Sequence, residues 1–207
     1  MLTFIKSKFR RFRREEEGAM VVEAMIMFPT LFAAVIATFV FFDAFRNQSI
    51  NLKAAYTISD ALSREDHYIT NLYITNAWRV HRFLTNSETL TKLRVTLIQY
   101  VDDTADGTDN GEYFVVWSRQ KGGAGTLNNS GLRQMGGNNE IPVMPSGEAL
   151  ILVQTWVDYA PSFSIGLGSF TFENTIFTRP RFAPNGICYD HNGVQNGSEL
   201  CPVGGGA

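Results

Sequence analysis

Polar and apolar positions divide the chain into three stretches with different rhythms. Residues 1–18 are polar and crowded with charge. The next 24 residues, AMVVEAMIMFPTLFAAVIATFVFF from Ala19 to Phe42, hold a single ionisable side chain, Glu23. A helix of that length reaches about 36 Å, enough to cross a hydrocarbon core of about 30 Å. A core helix of a soluble protein would show a polar side, and this stretch has none. The pattern therefore predicts a membrane span. Beyond it, Phe45, Leu52, Ala55, Tyr56 and Leu62 recur at helical spacing, so the span is predicted to continue as an amphipathic helix. A second helix is predicted over about residues 66–85. Asp66 is its expected cap, and Ile69, Leu72, Tyr73, Ala77, Val80, Phe83 and Leu84 are its expected apolar face. His67 and His81 read as side chains on its surface, not as ligands or bases.

From Leu93 the period shortens to two. Leu93, Val95 and Leu97 alternate with Arg94, Thr96 and Ile98, and similar runs begin at Tyr113, Ala149 and Phe170. These four segments, rich in β-branched and aromatic residues, predict an antiparallel meander. The DDTADGTDNGE connection between the first two carries Asp-Gly and Asn-Gly, the chemistry of a tight turn. Read as a calcium loop from Asp102, it puts Thr104 at the third position and Tyr113 at the twelfth, where a bidentate glutamate is needed, so that reading fails. Residues 121–147, rich in Gly and Asn, read as a long flexible excursion. The expected fold class is α+β: a long N-terminal helix, a second helix, then a four-stranded antiparallel sheet. Residues 43–207 make a single domain outside the membrane.

Composition sharpens this picture. A mean hydropathy of −0.07 excludes a polytopic membrane protein, and 16 Phe, 7 Tyr and 3 Trp are too many aromatics for a disordered chain. The net charge of −2 hides an asymmetry: residues 1–18 carry +3 and the remainder −5. No basic groove follows residue 14, so nucleic acid is not an expected partner. Six Lys and Arg precede the span, and only Arg46 and Lys53 follow it closely. The positive-inside rule then places residues 1–18 in the cytoplasm and everything after Asp43 outside. A cleaved secretory signal is the competing reading, but its apolar region would be about 7–15 residues long and end in a small-x-small site.

Charge gives way to hydrophobicity at one residue. In EEEG-AMVVE, Gly18 closes the polar leader and Glu23 follows five positions later. A glycine, four residues and a glutamate mean little alone. With a basic leader and a long apolar span, they resemble the processing site of type IV prepilins and pseudopilins. The longer string GAMVVEAMIMFPTLFAAVIATFVFFDAFR is similar to the TadE-like family of tight-adherence pilus proteins over roughly residues 17–46, with a weaker likeness in TRPRF at 178–182. The resemblance implies a prepilin peptidase cutting between Gly18 and Ala19. Glycine lets an extended peptide lie close to the enzyme backbone. Ala19 would become the amino terminus and Glu23 the fifth residue of the product.

An acidic side chain inside a span costs about 2.5–3.5 kcal/mol at mid-membrane and less near its edge, which favours finding a partner. The resemblance supplies one: the terminal amine of a neighbouring subunit or of the same chain, itself costly to bury alone. Glu23 also lies close enough to the edge to reach the headgroups as an ordinary boundary charge. Pro29 removes one helix hydrogen bond and predicts a kink or loosening, or is merely tolerated as prolines in membrane helices are. The family implies a pilin-like fold and a minor pilin or assembly factor in the inner membrane, with an ectodomain serving pilus biogenesis and adhesion. Its partners would be membrane lipid, the peptidase, other pilins and the assembly platform. It also includes anchors that are never cleaved. A signal-anchored periplasmic binding or adhesion protein is the alternative.

Only two cysteines exist, Cys188 and Cys201, both outside the membrane on this orientation, and a disulfide is their simplest fate. A metal site of Cys188, His191 and Cys201 is the alternative, lacking a fourth ligand. No phosphate loop, nucleophile elbow or organised Ser/His pair is present, so neither catalytic residues nor a cofactor is expected.

Overall fold

The computed structural model describes residues 16–66, 68–86, 91–101, 111–163, 166–183, 186–191 and 199–202, with side chains from Met20 onward. The expected turn at 102–110 and His67 lie outside the described residues. Helix α1 runs from Glu16 to Ser63 and passes through Pro29. One unit comprises Met1–Phe45 with Pro161–Gly168, and the other Arg46–Ala160 with Ser169–Ala207.

In the first unit α1 is exposed almost throughout its most apolar stretch, and it is long and apolar enough to cross a membrane. Pro29 has no N–H to offer the Met25 carbonyl. One turn along, Thr30 folds its hydroxyl back onto the Ile26 carbonyl at 2.9 Å, and Thr38 does the same to Ala34 at 2.9 Å. Both hydroxyls are thereby satisfied within the helix, which suits a helix with no water beside it.

The second unit is built on a sheet of β2 (Thr91–Val101), β3 (Glu112–Lys121), β4 (Ala149–Tyr159) and β5 (Phe170–Thr178). All neighbours are antiparallel, as expected, but the order is β3-β2-β4-β5, not that of a meander. The connection from β3 to β4 is long enough to return on the far side of β2, so β4 pairs with β2 instead of β3. One face carries Leu93, Val95, Leu97, Trp117, Ile151 and Val153 against Ile58 and Leu62 of α1. The other carries Ile98 and Leu150 against Leu132, Ile141 and Met144. Period-two alternation thus feeds two cores rather than one core and one wet face.

Leu132, Ile141 and Met144 belong to the segment expected to be a flexible excursion. The structure instead places a helix there, α3, from Asn129 to Gly137. The Asn128 side chain caps it by accepting the Gly131 N–H at 2.9 Å, and Leu132 is fully buried.

Helix α2 spans Asn71–Thr85, five residues shorter at its start than expected. Thr70, not Asp66, is its cap, with its hydroxyl accepting the Tyr73 N–H at 3.2 Å. Ile69 before the cap and Ile74 four residues after it are both buried in one cluster, a hydrophobic staple that sets the angle of entry. The packing phase also differs from expectation. Of the expected face, Ile69 is buried and Tyr73 and Ala77 pack against the core, but Ile74, His81 and Thr85 are also buried while Leu72, Val80, Phe83 and Leu84 are exposed. The expected stripe on the later part of α1 shifts in part: Ala55 and Leu62 are buried as expected, joined by Asn51, Ala54, Ile58, Ser59 and Ser63, but Phe45, Leu52 and Tyr56 are exposed, Tyr56 to 56%. Small residues occupy the buried positions, and closeness of approach decides which face is covered.

A short parallel pair, β1 (Ile69–Thr70) with β6 (Tyr189–Asp190), ties the chain end to the start of α2. Gly186 allows that close return. A Cβ there would stand 2.6 Å from Pro202 and 2.9 Å from Ala149, and its φ of +97° is one that side chains rarely adopt.

Candidate functional site

The chemistry proposed from sequence concentrates in the first turns of α1. Gly18 and Ala19 lie within the helix, so a bond cut between them would first have to unwind to lie extended in a peptidase. Glu23 is four residues beyond Ala19 and therefore one turn away on the same side of the helix, an axial rise of about 6 Å. The carboxylate is exposed, and among the described residues it has neither an ion-pair nor a hydrogen-bond partner. If Ala19 became the terminus, its ammonium and the helix's unsatisfied N–H groups would put positive charge one turn from this carboxylate.

Along the exposed helix the surface alternates between bulky and small. Ala24, Thr30 and Ala34 lie between Met27, Phe28 and Leu31, and a second shallow groove follows, bordered by Leu31, Ala34, Val35, Thr38, Phe39 and Phe42. Both grooves are lined almost wholly by apolar atoms. Such relief accepts side chains of a neighbouring helix, where close backbone approach matters more than hydrophobicity. Glu23 is the one ionisable group on this surface between Met20 and Phe42.

The tail holds the second predicted feature. Cys188 and Cys201 form a disulfide, with their Cα atoms 4.3 Å apart. With both sulfurs in that bond no thiolate is left to join His191 around a metal. Backbone bonds surround the bridge: Ile69 N–H donates to the Cys188 carbonyl at 2.9 Å, and Tyr189 and Leu200 exchange two bonds of 2.9 Å each. Arg119 stacks over the Tyr189 ring at 4.0 Å. The bridge fastens a tail that is already hydrogen-bonded.

His81 departs from its expected surface position. It is fully buried, neither ring nitrogen has a partner among the described residues, and burial alone pushes its pKa down from 6.5 to about 4. A neutral imidazole with no orienting group nearby lacks the geometry of a general base. Burial and the nearby Glu65 raise the Tyr73 phenol above its ordinary range, which keeps it a neutral hydrogen-bonding group.

Two arrangements were missed by the sequence reading. The TRPRF segment anchors sheet to helix: the Arg181 N–H donates to the Ser63 carbonyl at 2.7 Å, its guanidinium reaches Asp60 at 3.3 Å, and Ser59 hydrogen-bonds Thr178. The Ser63 carbonyl is among those a helix end leaves without an internal donor, which was a usable signal. On the uncovered half of the sheet, Arg94 lies 5.0 Å from the Trp156 ring centroid and donates to Gln154 at 2.8 Å. Alternation alone marks those residues as sharing a face, but not as touching.

No family model, curated protein or solved structure matches this chain. The functional reading rests on its own residues.

Proposed function

We propose that this chain is a TadE-like minor pilin or assembly protein of a tight-adherence pilus. It is held in the inner membrane by α1, with the leader in the cytoplasm and the α+β unit in the periplasm. The observation that carries the reading is the step at Gly18: a +3 leader ends there, and the exposed apolar stretch of α1 follows with one carboxylate a turn inside it. An ordinary anchor needs the apolar residues and the basic flank. It does not need a carboxylate on a surface where an acidic group is disfavoured. A partner carrying a single positive charge at the same depth offsets that cost, and a freed Ala19 ammonium on a neighbouring subunit is such a group. The two grooves along α1 supply the contact that brings helices into register.

Protein purified from its native membranes tests this by intact mass and N-terminal sequencing. The expected terminus is Ala19, with residues 1–18 removed. A terminus at Met1 removes processing from the proposal and leaves an uncleaved anchor, and a terminus beyond Phe42 identifies a secretory signal instead.

A further inference from the structure

Between Asp158 and Glu173 the chain runs YAPSFSIGLGSFTF, 14 residues without a charge. This stretch ends β4, turns, and begins β5. Loops joining antiparallel strands are usually two to five residues long and polar. Here the connection is longer, and its described residues include Phe163, 51% exposed, and the half-buried Leu167. Gly166 has a φ of +74°, a conformation that side chains rarely adopt. The middle of the connection, Pro161–Gly168, belongs to the unit that contains the apolar helix up to Phe45, not to the unit that contains the sheet. In that same unit α1 is exposed along Met20–Phe39 except for partial cover near residues 36–37, and then buries Val40 and Ala44. Those two lie where Asp43 and Arg46 mark the end of the apolar run.

We propose that the connection between β4 and β5, through its described residues Pro161, Ser162, Phe163, Gly166, Leu167 and Gly168, is a second membrane-contacting element, seated at the headgroup–acyl boundary of the outer leaflet with Phe163 as its apolar anchor. The inference rests on reading α1 as a membrane span. Three observations combine in it: the loop shares a unit with that span while the strands it joins belong to the other unit, it carries no charge that would have to be desolvated, and it leaves a phenylalanine exposed. Depth is limited by the backbone. A segment outside helices and closed barrels cannot carry unpaired N–H and C=O groups into hydrocarbon, but the hydrated boundary region accepts them. With no Lys or Arg in the segment, contact does not depend on anionic lipid, unlike that of a basic amphipathic anchor. The consequence for the protein is two attachment points on one membrane face, which restrict rotation of the loop about α1.

The test uses the full chain, disulfide intact, in phosphatidylcholine vesicles with and without phosphatidylglycerol. Single cysteines replace Phe163, Phe32 in the span, or Val143, which is 92% exposed, and each carries a nitroxide. Relative accessibility to oxygen and to a water-soluble nickel chelate then reports depth. The expected ratio at position 163 lies between those at 143 and 32 and is unchanged by the anionic lipid. A label at 167 repeats the measurement should the substitution at 163 disturb the turn. A ratio at both 163 and 167 equal to that at 143, with 32 still deep, overturns the proposal and leaves the span standing. A ratio at 32 equal to that at 143 overturns the span itself and this inference with it.

Discussion

The indole N–H of Trp117 donates to the carbonyl of Ile187 at 2.7 Å inside the core. Both residues are 2% exposed, and Ile187 immediately precedes the disulfide. The ring of Trp117 also faces that of Tyr189, with centroids 5.7 Å apart. One side chain on β3 thus fixes the segment that leads into β6, independently of the covalent bridge.

Trp117→Phe is therefore expected to lower stability by about 2–4 kcal/mol. It leaves the Ile187 carbonyl buried without its donor, which costs about 1–3 kcal/mol, and adds a gap where the indole was. Urea unfolding of the full chain in detergent should show a lower midpoint with an unchanged slope. An unaltered midpoint would mean that the Ile187 carbonyl finds another donor.

Reducing the disulfide is expected to cost at most about 3 kcal/mol. Closing a loop of 13 residues restricts the unfolded chain by roughly that amount on an entropic estimate. Tyr189 and Ile187 remain buried on the sheet, so the reduced protein should keep its near-ultraviolet circular dichroism. The comparison is urea midpoints with and without reductant, and loss of tertiary signal on reduction alone would show that burial of the tail depends on the bridge.

His81 makes stability depend on pH, and the sign follows from its lowered pKa. Above pH 6.5 the imidazole is neutral in folded and unfolded chains and contributes no pH dependence. Between 6.5 and about 4 the unfolded chain takes up a proton that the buried ring refuses, so stability falls as the solution is acidified. The loss accumulates to about 3 kcal/mol at about pH 4 and then levels off. His81→Leu should flatten this component and raise stability at pH 7, because two unpartnered ring nitrogens leave the core. Parallel stability profiles of the two proteins from pH 7.5 to 4 in detergent check it, and identical slopes would contradict the burial of the ring.

Leu132→Ala distinguishes a packed segment from a flexible one. Leu132 is fully buried against Ile98, Ile141 and Leu150, so truncation should cost about 2–5 kcal/mol. A mobile excursion would lose almost nothing. Val143→Ala, at a position 92% exposed in the same connection, is the control and should be near neutral.

The helix and strands were legible because their signals are local. An uninterrupted apolar run and a period-two alternation depend only on neighbours in sequence, and β4 and β5 begin and end close to where alternation places them. The packing phase of the helices was not. Ala54, Ser59 and Ser63 join the expected Ala55 in facing the core because small residues permit close approach, whereas hydrophobicity alone points to Tyr56 and Leu52. His81 was misplaced for the same reason, since polarity suggests a surface that α2 turns elsewhere. Asn128, followed by Leu132 and Met135, carried a readable cap and half-stripe for α3 beneath a Gly-rich composition. Strand order and the β1–β6 pairing join residues far apart in sequence and leave no local trace. The candidate processing site is legible for the opposite reason: its pattern lies wholly along one helix.

Glu23 provides the last and most direct test of the pilin reading. Its proposed partner is an ammonium generated by cleavage, so the carboxylate should matter after processing and not before it. Glu23→Ala is expected to leave membrane insertion intact, and to ease it slightly, because an acidic group leaves the apolar stretch. Cleavage after Gly18 should proceed, since the scissile bond and its small flanking residue are unchanged. Incorporation into pili should fall sharply, because a subunit without the carboxylate leaves its neighbour's ammonium unpaired in an apolar contact. Glu23→Asp, which keeps the charge on a shorter arm, should recover part of the loss, and Glu23→Gln should not. The measurement is sheared surface fibres set against membrane-retained protein for each variant in the native host. Normal piliation by the alanine variant would refute charge pairing and leave Glu23 as a residue that reaches the headgroups. Loss of cleavage in the same variant would instead assign the carboxylate to recognition by the peptidase.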